Sequence, residues 1–169
     1  MSFLSVDVVW FLQIDYKPFI MKSKFIIAVL AASLVAFLGG WVLFGVAFPN
    51  YYEFHMSEFG KLIMKKPPEI WAVAISNIAW AILMTWAIQK NAHQTFLNGF
   101  LTGGLISLLL MVTIDFSMYG FFNIYKLDFI IFDILVTTLF WGIAGGVAGW
   151  ILGIRGEHDR IKTYFNKQN

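Results

Sequence analysis

The chain has 169 residues, of which 59% are apolar, 18% aromatic and only 13% charged. That balance excludes an ordinary soluble domain, a disordered segment, and a collagen-like or disulfide-rich scaffold. Without cysteine there is no thiol redox chemistry, no Cys-ligated metal and no lipid-bearing cysteine anchor. A net charge of +2 is too small to point to nucleic acid.

Residues 1–20 hold only one short apolar patch, Val8 to Leu12, between Asp7 and Asp15, too short to cross a bilayer. Met21 is an alternative start, which would make 1–20 an upstream extension. Residues 25–48 form the first apolar run, long enough at about 1.5 Å per residue to span about 30 Å of hydrocarbon. Lys22, Ser23 and Lys24 ahead of it also fit the basic region of a secretory signal, but the run continues without a cleavage motif beyond the length of a signal core. The second span covers 70–88, after Lys65, Lys66, Pro67 and Pro68. The third covers 96–122 and the fourth 129–154, ended by Arg155, with 155–169 as a basic amphipathic tail able to rest on lipid. The expected fold is all-α, an integral membrane four-helix bundle within 21–154.

Four spans put both termini on one side. That side carries eight basic residues (Lys17, Lys22, Lys24, Lys90, Arg155, Arg160, Lys162, Lys167) against four on the other (Lys61, Lys65, Lys66, Lys126), so both termini are expected in the cytoplasm. No loop is long enough to form a soluble domain.

Helices in lipid associate through close packing of small residues. Gly142, Gly146, Gly149 and Gly153 form one stripe on span four, and Ala28, Ala32, Ala36 and Gly40 a similar stripe on span one. These stripes make the two helices expected neighbours, either within one bundle, the favoured reading, or as a dimerisation surface. Trp71, Trp86 and Trp150 fall near span ends, where indoles favour the interface. Trp41, Trp80 and Trp141 lie deeper and are expected to face other helices.

Of ten acidic residues, only Asp115 and Asp133 lie inside spans. An ionised carboxylate at mid-span costs about 2.5 to 3.5 kcal/mol on insertion scales, so a partner or a wet cavity is expected. Asp115, Asn77 and Trp41 each lie seven residues from the outer end of their spans, about 10 Å deep, and Asp133 four residues in, about 6 Å. Asp133, Thr137 and Trp141 share one helical face, and Tyr119 follows Asp115 by one turn. These residues predict an outward-opening pocket, with Asn123 near its mouth. The pocket binds a cation, a proton or a small cationic molecule; or the carboxyls are protonated and clasp the helices; or Asp133 simply caps its helix.

In the outer loop His55 and Glu58 are three apart, but Tyr52, Met56, Phe59 and Ile63 at helical spacing favour an interfacial amphipathic helix over a metal site. No catalytic motif, metal set or cofactor signature is present. An intramembrane enzyme acting on lipid or peptide remains the alternative from another class.

The stretch Asp115, Tyr119, Gly120, Asn123, Ile124, Tyr125, followed by Asp133 and the Trp141-Gly142 pair, resembles small four-helix bacterial membrane proteins known only as families of unknown function. The resemblance covers 21–154 in layout. It implies four spans and a bacterial inner-membrane location, and supplies no activity. Membrane lipid is the expected partner, with a homo-oligomer or an accessory role in a larger membrane complex as further possibilities.

Overall fold

In a computed structural model of the chain, residues 23–48, 50–91 and 93–166 are described, with backbone alone for Tyr52 and 155–166. The extension 1–20, and the lipid-facing side chains expected in the tail, lie outside the described residues. Among those described the structure is helical, with one isolated antiparallel bridge between Met56 and Tyr125.

Helix α1 (Ser23–Gly40) passes directly into a π-helical segment, Trp41–Ala47. Two short helices follow, α2 (Tyr51–His55) and α3 (Glu58–Ile63), then α4 (Ile70–Gln89), α5 (Phe96–Phe121) and α6 (Leu127–Asn166). Four stretches are long and apolar enough to cross a membrane, Ser23–Ala47, Ile70–Gln89, Phe96–Phe121 and Leu127–Ile154. Two of the starts have a local cause. The side chain of Thr95 accepts from the Asn98 amide and closes the first turn of α5, and Asp128 Oδ1 accepts from the Phe129 amide at 2.9 Å as α6 begins.

Two ends can be distinguished. The capped end carries α2, α3 and the 122–126 turn; the terminal end carries the start of α1 and the α4–α5 turn. Toward the terminal end the core is shared by α1 (Phe25, Ala28, Ala32, Ala36), α4 (Ala81, Met84, Ile88) and α6 (Trp141, Ala144, Ala148). Near the capped end a smaller core is built from Met111, Phe129, Ile130 and Ile134. The asymmetry between them is pronounced: α1 has no buried residue after Ala36, α4 none before Ala81, and α5 none after Met111. Only α6 keeps a buried face through both halves.

The closest packing joins α5 to α6. A Cβ added at Gly145 would lie 2.5 Å from the Gly99 carbonyl oxygen and 3.0 Å from Gly103 Cα; one added at Gly149 would lie 3.0 Å from Gly99 Cα. None of the described glycines has a positive φ, so their value here is space, not backbone freedom. The glycine face of α6 therefore packs against α5, not against α1: Gly142 meets the Phe100 ring, Gly146 the Phe96 ring and Gly153 the Gln94 carbonyl. Helices α1 and α6 are neighbours as expected, but through alanines, with Ala28, Ala32 and Ala36 sharing a core with Ala144 and Ala148. Gly40 sits 3.8 Å (from an added Cβ) from Phe140.

The fourth apolar stretch ends at Ile154, as expected, while the helix that carries it runs on unbroken to Asn166. The connection between α1 and α4 forms two helices in place of one amphipathic helix, because Ser57 turns extended and its hydroxyl caps α3 at the Gly60 amide, 3.0 Å away.

Candidate functional site

The α5–α6 register sets the level of the Asp115 and Asp133 carboxylates. Gly99 lies against Gly145 and Gly149, Gly103 against Trp141 and Gly145, and the Ser107 hydroxyl donates to the Thr137 carbonyl at 3.4 Å. Each step of four along α5 is matched by a step of four back along α6, so the same register brings Asp115 level with Asp133 and Phe129. Helix α6 begins two residues earlier than expected, at Leu127. Both aspartates then lie six residues from the capped ends of their helices, about 9 Å deep.

Asp133 is 9% exposed and Thr137 8%. Asp115 is half-buried, with its Oδ2 shielded from solvent and making no hydrogen bond among the described residues. Tyr125, in the turn between α5 and α6, completes the group. Burial pushes its phenol above the ordinary 10.0, and the negative charges of Asp133 and then Asp115 push it further in the same direction. Its ring stacks on Phe129, centroids 4.7 Å apart.

The other expected pocket residues divide. Trp141 is 4% exposed and stacks on Trp80, centroids 5.3 Å apart, one turn below Thr137. Asn77 is half-buried and spends its amide on the Val73 carbonyl of its own helix at 2.9 Å. Tyr119 is 44% exposed and Trp41 63% exposed, so neither joins the aspartates. Trp41 turns outward because the chain becomes π-helical at that residue, which breaks the rotational phase carried through α1. Tyr119 turns outward because α5 has left the buried core after Met111. Asn123 is exposed, and its carbonyl accepts from the Ser57 hydroxyl at 2.6 Å. Further buried polar groups without a hydrogen bond among the described residues are Trp80 Nε1, Thr85 Oγ1 and Thr138 Oγ1.

A cover lies over the capped end. The Ser57 amide donates to the Ile124 carbonyl at 2.8 Å and the Lys126 amide to the His55 carbonyl at 3.1 Å, with Met56 only 6% exposed between them. His55 and Glu58 do not converge: His55 faces Asp128, and Glu58 pairs with Lys61 at 2.7 Å. Among the described residues no three of His, Cys, Asp and Glu gather as a metal-binding group.

What the arrangement offers chemically is negative charge and hydrogen-bond acceptors, plus one phenol donor, in a weakly hydrated setting. Tyr125 is the member the sequence alone missed, since it lies between spans and outside any helical phase. Its position eight residues before Asp133 on the connecting turn was the available signal. Comparison with protein-family models, curated proteins and solved structures yields no match.

Proposed function

We propose that the chain is a multi-pass membrane protein whose Asp115/Asp133 site binds a cation, a proton or a small cationic molecule. The observation that carries this reading is Asp115 Oδ2, sheltered from solvent without a hydrogen bond among the described residues, level with a second carboxylate. A charge so placed is costly, and a bound cation or proton offsets that cost. The excess of basic residues on the terminal side supports cytoplasmic termini and an outward-facing capped end. The resemblance to four-helix bacterial proteins supports the inner membrane.

A second reading is favoured by Tyr125, whose phenol feels both carboxylates. In that reading the three groups form a polar clasp, and the chain is a structural or accessory subunit. An intramembrane enzyme has no motif in its support.

The test uses full-length protein in lipid nanodiscs, with Asp115→Asn and Asp133→Asn made separately. Binding predicts that sodium, potassium or tetramethylammonium, or a fall in pH, raises the unfolding temperature more in the unaltered protein than in either variant. If both variants unfold earlier and neither cations nor pH shift the unaltered protein any more than the variants, the clasp is the correct reading. Turnover of lipid or peptide abolished by either substitution would establish the enzyme instead.

A further inference from the structure

We propose that His55 is a proton-operated latch holding the segment 50–64 over the capped end. The imidazole ends α2 with 14% of its side-chain surface exposed. Its Nδ1 lies 2.9 Å from the Tyr51 carbonyl oxygen and its Nε2 3.4 Å from Asp128 Oδ2. A carbonyl oxygen only accepts hydrogen bonds, and so does an ionised carboxylate. The first contact is a hydrogen bond that an Nδ1–H donates in either charge state, whereas the second is a charge pairing that attracts only when Nε2 also carries hydrogen, in the imidazolium. The neutral ring keeps its Nδ1–H on the Tyr51 carbonyl and turns the Nε2 lone pair toward the Asp128 carboxylate, so the pairing with Asp128 is what deprotonation removes.

The surroundings fit this assignment. Asp128 is fixed by its other oxygen, which accepts from the Phe129 amide. The rings of Tyr51, Phe54 and Phe129 stand 4.2, 5.2 and 6.4 Å from the imidazole and carry no charge. Lys126 opposes the charged ring, but its ammonium lies over the Phe54 face, 5.7 Å from the centroid. Glu53 and Glu58 are engaged by Lys66 and Lys61. Asp128 is thus the carboxylate in contact with the ring among the described residues.

The ring stands beside the seam that joins the cover to the 122–126 turn, where the His55 carbonyl accepts from Lys126 and Ser57 bonds to both Asn123 and Ile124. That turn carries Tyr125. Protonation of the ring therefore holds the cover down, and loss of that proton loosens it. That this gates the Asp115/Asp133 site rests on the cation-binding reading above; the latch itself does not.

The native chain has no cysteine, so Leu62→Cys and Phe121→Cys, at residues 86% and 83% exposed, give two specific spin-label positions, one on the cover and one on the bundle. In nanodiscs, the open fraction of the distance distribution should rise about two- to fivefold from pH 5.5 to 8.5, the range expected of a partly exposed ion pair. His55→Gln should abolish the dependence, and Asp128→Asn should cut it by more than half. An unchanged distribution across this pH range, or an undiminished response in Asp128→Asn, overturns the latch, and the second holds even if His55→Gln does not fold. Asp115→Asn should lose cation stabilisation while keeping the pH response, which separates failure of the site from failure of the latch.

Discussion

The indole of Trp80 lies on that of Trp141 with the planes 16° from parallel, while its own Nε1 is buried without an acceptor among the described residues. Trp80 packs against both cores, so this stack joins α4 to α6 where the tightly packed half of the bundle meets the splayed half. The ring area is useful there and the N–H is not. Trp80→Phe should leave unfolding within about 1 kcal/mol of the unaltered protein, because it keeps an aromatic face and removes an unsatisfied donor. Trp141→Ala should cost about 3 to 5 kcal/mol, since Trp141 is 4% exposed. Thermal unfolding followed by circular dichroism checks both, and a loss above about 2 kcal/mol in Trp80→Phe would mean that the N–H has a partner after all.

The α5–α6 contact yields a paired prediction. Gly145→Ala puts a methyl group 2.5 Å from the Gly99 carbonyl and 3.0 Å from Gly103 Cα, and neither backbone can yield without separating the helices. A loss of about 1 to 3 kcal/mol is expected. Gly120 has nothing within 4 Å of an added Cβ, lies inside α5 and has no positive φ. Gly120→Ala should therefore stabilise by about 0.5 to 1 kcal/mol through helix propensity alone. Equal effects at the two positions in either direction would contradict the packing argument.

Span boundaries were legible because hydropathy reports where the chain leaves an apolar medium. The expected span ends fall within two residues of the four apolar stretches, Ile154 included, although the helix itself continues past Arg155 to Asn166. Backbone hydrogen bonds need no apolar side chains, so composition could not mark that end. Counting from span ends put Asp115 and Asp133 at unequal depths, and it is the α5–α6 register that carries them to one level. Rotation was less legible than the boundaries: Trp41 follows a change of helical pitch, and Tyr119 follows the departure of α5 from the core. The partner of the α6 glycine face was missed although its signal was present. Gly99, Gly103, Ser107 and Met111 recur every four residues on α5 as its buried stripe.

At the capped end Lys66 hydrogen-bonds Glu53 and holds its carboxyl below the ordinary 4.5, with Lys61 adding a smaller pull in the same direction. A depressed folded-state value contributes stability above the unfolded carboxylate value, which is lost as pH falls through the folded one. The pair is exposed, so the contribution is small and screened by salt. Lys66→Met should flatten the decline in stability below about pH 4.5 at low ionic strength and have no effect on it at 1 M salt. An effect that survives high salt would show that Lys66 acts through packing and not through charge.

Tyr125 supplies the alkaline counterpart. Its phenol is raised above 10.0 by burial first, then by Asp133 and then by Asp115. The protonated phenol is the neutral form, so a raised folded-state value contributes stability that is fully present below about pH 10. That stability is lost as pH climbs through the higher folded value. Among six tyrosines, Tyr125 should therefore ionise above that ordinary value, and the missing absorbance step in Tyr125→Phe identifies it. Asp133→Asn should move that step downward, and Asp115→Asn should move it less, because the Asp133 charge acts more strongly on the phenol. The unfolded protein should show no such difference between variants. If neither substitution moves the Tyr125 step, the two carboxylates do not share a site with the phenol, and the clasp reading loses its basis.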